Sequence, residues 1–167
     1  MAVDHDTNKN RIVSILKADD TVFDSGATAG LLRDIFVGQR VPKTISGSNF
    51  APFLYVTNGS PILTKRPKGI VQSNKQEYFE NTVRYNLNFI SKKKTSSVDT
   101  EKELDDLELL ISTALESNYQ LLNPTSSDDP ICLSSYIEKV DNAIFANKKG
   151  NPDQGRTITL KLIIMST

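Results

Sequence analysis

Apolar residues recur at helical spacing in two segments of the chain, and both predict amphipathic helices. The first segment spans residues 8–19, where the stripe consists of Ile12, Val13, Ile15 and Leu16. The second spans about residues 97–117, where the apolar face holds Leu104, Leu107, Ile111, Ala114 and Leu115. The opposite face of this second helix is polar and mostly acidic, and Thr100 with Glu103 fits a capping box at its start.

Alternation of apolar and polar residues predicts strands elsewhere. It is clearest from Glu77 to Ser91, where the apolar positions are Val83, Tyr85, Leu87 and Phe89, as in an antiparallel strand with one buried face. Further strands are predicted at residues 36–41, 52–56, 134–145 and 156–165, the third with a bulge because its alternation is not strict.

Residues 60–76 contain two prolines and several basic residues but show no periodicity. They are predicted to form a long exposed loop, with a partial hairpin as the alternative. Long loops inside compact domains are uncommon, and those that occur are usually functional.

The predicted order is a helix, two short strands, a long strand, a long helix and a closing hairpin. Strands and helices do not alternate as βαβ units, which favours the α+β class. We expect an antiparallel sheet of about four to five strands, with the N-terminal helix and the long helix packed on one face. The 167 residues suit one domain, with residues 1–7 as a flexible N-terminus and 8–167 as the domain.

The chain has few of the residues that usually form metal sites and catalytic triads. The chain has one cysteine, Cys132, and one histidine, His5, so ordinary zinc sites and serine or cysteine triads lack ligands or partners. No glycine-rich phosphate loop is present, and the adjacent acids at 105–106 point apart on a helix. We therefore predict no catalytic residue, no metal site and no cofactor, and a protein that is not an enzyme.

No apolar run reaches the roughly 18 residues needed to span a membrane. The first ten residues, MAVDHDTNKN, are polar and unlike a signal peptide. We expect the chain to be made in a cytoplasm and to have no membrane partner.

The formal net charge is zero, but the charges are segregated along the chain. Residues 38–94 carry ten basic and two acidic residues, whereas residues 95–129 carry nine acidic residues and one basic residue. These stretches have net charges of +8 and −8, and such asymmetry favours charged contact surfaces.

The order of elements resembles that of the tail terminator and tail completion proteins of tailed phages and related viruses. The matching segments are NRIVSILKADDTVFD, IFVGQRVP, APFLYV, ENTVRYNLNFIS, DTEKELDDLELLISTAL and QGRTITLKLII, which together extend over roughly residues 8–165. The chain departs from the family pattern in its basic segment 60–76 and in an insertion at 118–130.

This resemblance implies a structural virion protein without catalytic residues. It would form a ring, usually of six subunits, that caps the tail tube, ends tube polymerisation and joins the tail to the head-proximal connector. The implied partners are other copies of the chain, the tail-tube protein and the connector or neck protein, with DNA only as transient cargo. The implied location is the tail or neck of the virion, after assembly in the host cytoplasm.

A ring built head to tail needs two different, complementary surfaces on each subunit. We predict that acidic residues of the long helix meet basic residues of a neighbouring copy. The acids are Glu101, Asp105 and Glu108, and the bases are Arg40, Lys43, Lys65, Arg66 and Lys68. Pairing of these charges within one chain is the alternative.

Two other functions remain open from the sequence. A head–tail adaptor or neck ring protein of the same particle would use the same assembly logic. A small nucleic-acid-binding protein could use the basic runs at 65–68, 92–94 and 148–149, although a neutral net charge disfavours DNA as the main partner.

Overall fold

The computed structural model describes residues 2–24, 31–38, 52–71, 73–91, 97–126, 129–145 and 153–167. In these ranges the chain is of the α+β class, as predicted. Its elements are α1 (His5–Ala18), β1 (Asp34–Val37), β2 (Phe53–Val71), β3 (Gln76–Ile90), α2 (Ser97–Glu116), β4 (Ser134–Phe145) and β5 (Asp153–Ser166).

The five strands form one sheet in the order β1-β2-β3-β5-β4. Three of the pairs are antiparallel, but β1 pairs with β2 in parallel. The expectation of a wholly antiparallel sheet is therefore wrong at this edge. The connection between these strands, residues 38–52, is long enough for the dozen or so residues that a parallel crossover requires.

Both helices pack on one face of the sheet, as predicted. The strand registers place Val83 opposite Leu162 and Leu87 opposite Ile158, so the apolar residues of β3 and β5 lie side by side on that face. The helices close over them with Ile12 and Leu16 of α1 and with Leu104, Leu107 and Ile111 of α2, all buried. Burial of this apolar surface holds the helices to the sheet.

The helix α1 begins at His5, earlier than the predicted start at residue 8. Asp4 is its N-cap, because the Asp4 carboxylate accepts hydrogen bonds from the Thr7 backbone N–H (2.9 Å) and from Thr7 Oγ1 (2.7 Å). The bond from the Thr7 backbone is also the main cause that lowers the pKa of Asp4. Residues 5–7, which lie in the predicted flexible N-terminus of residues 1–7, therefore belong to α1.

The predicted loop at 60–76 is instead a β-hairpin, the alternative that the sequence left open. The strand β2 continues to Val71, and β3 begins at Gln76. Two register shifts, between Asn58 and Leu63 and between Pro67 and Gly69, break the alternation that would have revealed a strand. We call residues 60–71 and 73–82 the arm.

Neither helix of the described residues is long and apolar enough to cross a bilayer.

Candidate subunit-contact surfaces

Two of the three predicted acids of α2 are paired within the chain. Arg156 of β5 points at α2, and its Nη2 lies 2.6 Å from Asp105 Oδ1 while its Nη1 lies 2.6 Å from Glu108 Oε2. Burial acts to lower the pKa of Arg156, but the hydrogen bonds to the two carboxylates outweigh it and raise that pKa. Asp105 and Glu108 thus form ion pairs within the chain, which was the alternative to pairing between copies. These ion pairs join α2 to β5.

The third predicted acid, Glu101, is exposed and has no ion pair within the described ranges. The outermost side of α2 carries two further acids that the sequence analysis did not select, Asp106 and Glu116. Spacings of three, four and three residues align them with Leu109 and Thr113. We call these four residues the outer stripe of α2.

Every member of the outer stripe is exposed, and Leu109 keeps 66% of its surface exposed. Asp106 and Glu116 have no ion pair among the described residues. The last turn of α2 contains no basic residue, so the negative end of the helix dipole adds to the charge of Glu116. The outer stripe is therefore an acidic surface with an apolar side chain at its centre. The helical spacing of residues opposite the buried face is the signal that could have identified it.

Of the five predicted bases, Arg40 and Lys43 lie outside the described residues. Lys65, Arg66 and Lys68 all lie on the arm. Lys65 Nζ is 4.0 Å from the centroid of the Phe79 ring, a cation–π distance, and Lys68 Nζ is 3.1 Å from Glu80 Oε2. Arg66 is exposed and has no ion pair among the described residues.

The arm combines positive charge with exposed apolar side chains. It carries four basic and two acidic residues, a net charge of +2. Its apolar members Ile62, Leu63 and Ile70 are 45%, 42% and 57% exposed. Exposed apolar side chains together with a net charge are typical of a surface that contacts another protein.

The face of the sheet opposite the helices is polar along β3 and β5, whereas Phe36 stacks on Phe53 and Tyr55 at its β1 edge. Asn88 Nδ2 donates to Thr57 Oγ1 (3.1 Å), and Thr157 Oγ1 donates to Asn88 Oδ1 (2.9 Å), so one amide joins three strands. Next to it, Thr159 Oγ1 donates to Asn86 Oδ1 (3.1 Å). These groups satisfy one another, which stabilises the sheet without helix cover on this side.

The same face contains an ion-pair cluster around the predicted bulge of β4. The register shift between Ile137 and Lys139 sets Glu138 apart from the ladder, which confirms the bulge. Arg84 donates to Glu138 through Nε (2.7 Å) and Nη2 (3.1 Å), and the hydrogen bond from Arg84 is the main cause that lowers the pKa of Glu138. Gly59 lies against Arg84, where an added Cβ would be only 2.7 Å from Arg84 Cβ.

The remaining candidates for chemistry serve the fold. His5 Nδ1 lies 2.9 Å from the Tyr85 hydroxyl, and Asn8 Nδ2 donates to the same oxygen at 3.0 Å. Burial raises the pKa of Tyr85 to about 12 and that of the Cys132 thiol to about 12, so both groups are protonated at neutral pH. Within the described ranges no group of three or more His, Cys, Asp or Glu residues is placed to hold a metal ion.

A shallow cleft of about 450 Å³ lies between the ends of the two helices. Its lining includes Ile15 and Ala18 of α1, Ala114 of α2 and the acids Asp19 and Asp20. Asp19 Oδ1 accepts bonds from the backbone and hydroxyl of Thr21, so this carboxylate fixes the turn after α1.

Comparison with known proteins yields no matching family model and no curated relative for this chain.

Proposed function

We propose that this chain is a structural virion protein that forms a ring on the end of a tail tube. The ring ends tube polymerisation and joins the tail to the head-proximal connector. The observation that carries the proposal is the arm, an exposed β-hairpin whose basic and apolar side chains suit contact with another protein. The order of elements supports it, because this order resembles that of tail terminator and tail completion proteins.

The partners follow from the same proposal. They are further copies of the chain in a homo-hexameric ring, the tail-tube protein and the connector or neck protein, while DNA passes through the channel as cargo. The protein acts in the tail or neck of the virion and catalyses no reaction. The protonated Tyr85 and Cys132 and the paired carboxylates of α2 are consistent with a structural role.

The direct test adds the purified full chain to its tail-tube protein during polymerisation. We expect tubes to become shorter as the chain is added, and electron microscopy to show a ring at one tube end. The ring should have about six times the monomer mass of 18.5 kDa. Tubes of unchanged length with bare ends would overturn the proposal.

The same experiment separates the nearest alternative, a head–tail adaptor of the same particle. An adaptor would sediment with the purified connector complex and leave tube length unchanged. Gel-shift titration with duplex DNA covers the nucleic-acid alternative, because phosphate contacts would give binding that falls steeply with salt.

A further inference from the structure

The arm extends beyond the part of the sheet that the helices cover. The strand β1 pairs only with residues 53–56 of β2, so the outer edge of β2 has no strand partner from Thr57 onwards among the described residues. On the other side, the pairing of β3 with β5 ends at Phe79 and Ser166. The tip of the arm is therefore a two-stranded ribbon, a structure that buries little surface of its own.

The arm is built against strand addition at its free edge. Pro61 and Pro67 lie in β2 and lack a backbone N–H, and proline and lysine on an edge strand discourage pairing with another chain. We therefore expect a partner to contact the side chains of the arm rather than the edge of β2. Two basic residues of the arm, Arg66 and Lys75, are exposed and unpaired within the described ranges.

The outer stripe of α2 offers the complementary chemistry. Asp106 and Glu116 supply carboxylates that have no ion pair in the described part of the chain, and Leu109 between them supplies an exposed apolar surface. Arg156 already pairs with Asp105 and Glu108, whereas the two acids of the outer stripe have no ion pair among the described residues and can meet a second molecule. The arm likewise carries exposed apolar side chains, Ile62 and Ile70, in addition to its bases.

We propose that the arm of one copy of the chain docks on the outer stripe of α2 of a second copy. Arg66 and Lys75 pair with Asp106 and Glu116, while Leu109 packs against the apolar side chains of the arm. The two surfaces differ, so the contact is head to tail, and repetition closes into a ring if the rotation permits. This inference rests on the proposed function for its ring and adds the surfaces that form it.

Charge reversal with rescue tests the contact in the full chain. The arm variant combines Arg66→Glu with Lys75→Glu, and the helix variant combines Asp106→Lys with Glu116→Lys. We expect each variant to weaken self-association by at least about tenfold, as like charges then face each other. A mixture of the two variants should associate to within about threefold of the natural chain, because the opposite charges meet again.

Association is measured by sedimentation at low and high salt, alone and on tail-tube ends. A carbodiimide cross-link between Lys75 and Asp106 or Glu116, read by mass spectrometry on a mixture of isotopically light and heavy chains, shows whether the contact joins two copies. Lys139→Glu serves as the control, since it reverses an exposed lysine of β4 outside both surfaces. This control should associate like the natural chain.

The outcomes separate this inference from the proposed function. If both variants still form rings on tube ends, and no cross-link joins two copies, the docking is overturned and the ring proposal stands. A charge-dependent contact between copies that never caps a tube would support the docking and overturn the tail function. A chain that stays monomeric both alone and on tubes would overturn the docking.

Discussion

Glu138 shows how one residue outside the regular ladder ties three strands together. The bulge in β4 turns the Glu138 carboxylate toward Arg84 of β3. Lys161 Nζ of β5 lies 3.8 Å from Glu138 Oε1. The pKa of Glu138 is lowered in the folded state, so its stabilising effect is present above the unfolded pKa of about 4.3. It is lost as the pH falls through the lower, folded value.

The first prediction concerns Glu138→Gln. The variant should be less stable to urea than the natural chain at pH 7, by up to about 1 kcal/mol, because an accessible ion pair is worth no more. The gap should narrow as the pH falls below the unfolded pKa towards the lower, folded pKa, since the carboxylate then becomes protonated first in the unfolded state and finally in both states. Glu116→Gln is the control and should change little at either pH. A gap that stays constant from pH 7 to pH 3 would show that the charge of Glu138 is not involved.

At the scale of elements, α2 contains a matched pair of leucines with opposite surroundings. Leu107 is fully buried, whereas Leu109 is 66% exposed. We predict that Leu107→Ala lowers the free energy of unfolding by about 2–5 kcal/mol, because it leaves a cavity in the core. Leu109→Ala should stay within about 0.5 kcal/mol. Urea unfolding midpoints measure both, and equal losses would contradict the placement of α2.

Several elements could be predicted from the sequence because their patterns are local. The alternation in β3 and the apolar face of α2 follow from side-chain periodicity, and the imperfect alternation of β4 indicated its bulge. The arm was predicted mainly as a loop, with a partial hairpin only as the alternative, because Pro61, Pro67 and two register shifts hide its periodicity. The parallel pairing of β1 was missed because a strand of four residues carries no information about direction.

The charged surfaces were predictable only in part, because pairing depends on contacts distant in sequence. Nothing near Asp105 or Glu108 in the chain indicates that Arg156 will lie beside them. That contact exists because β5 runs under α2 in the folded sheet. The segregation of charge was correctly read from the sequence, but which acids remain unpaired requires the structure.

On the scale of the whole molecule, β3 is the strand on which both halves of the chain meet. It pairs with its sequence neighbour β2 in a hairpin. It also pairs with β5, from which α2 and β4 separate it in the sequence. Cys132 lies between α2 and β4, buried, with its Sγ 3.6 Å from the Tyr119 carbonyl oxygen. Cys132 belongs to the core to which both halves contribute, so its exposure requires the connection between α2 and β4 to leave that core.

We predict that thiol reagents label Cys132 at least about a thousandfold more slowly in the native protein than in urea, as expected for a group exposed only by cooperative opening. The labelling rate should rise with denaturant in step with global unfolding. As a control, Ser73→Cys at the tip of the arm, in a Cys132→Ser background, should label at nearly the unfolded rate. Fast native labelling of Cys132 would indicate local opening between α2 and β4.

The arm also has a thermodynamic consequence for whatever it binds. Its backbone is already ordered by pairing with β3, and the contacts of Lys65 with Phe79 and of Lys68 with Glu80 join its strands. A disordered loop would lose conformational entropy when it binds a partner. The arm has already lost this entropy during folding. More of the interaction free energy with a partner is then available as affinity. Preorganisation makes the arm a more effective contact than an unstructured basic loop of the same composition.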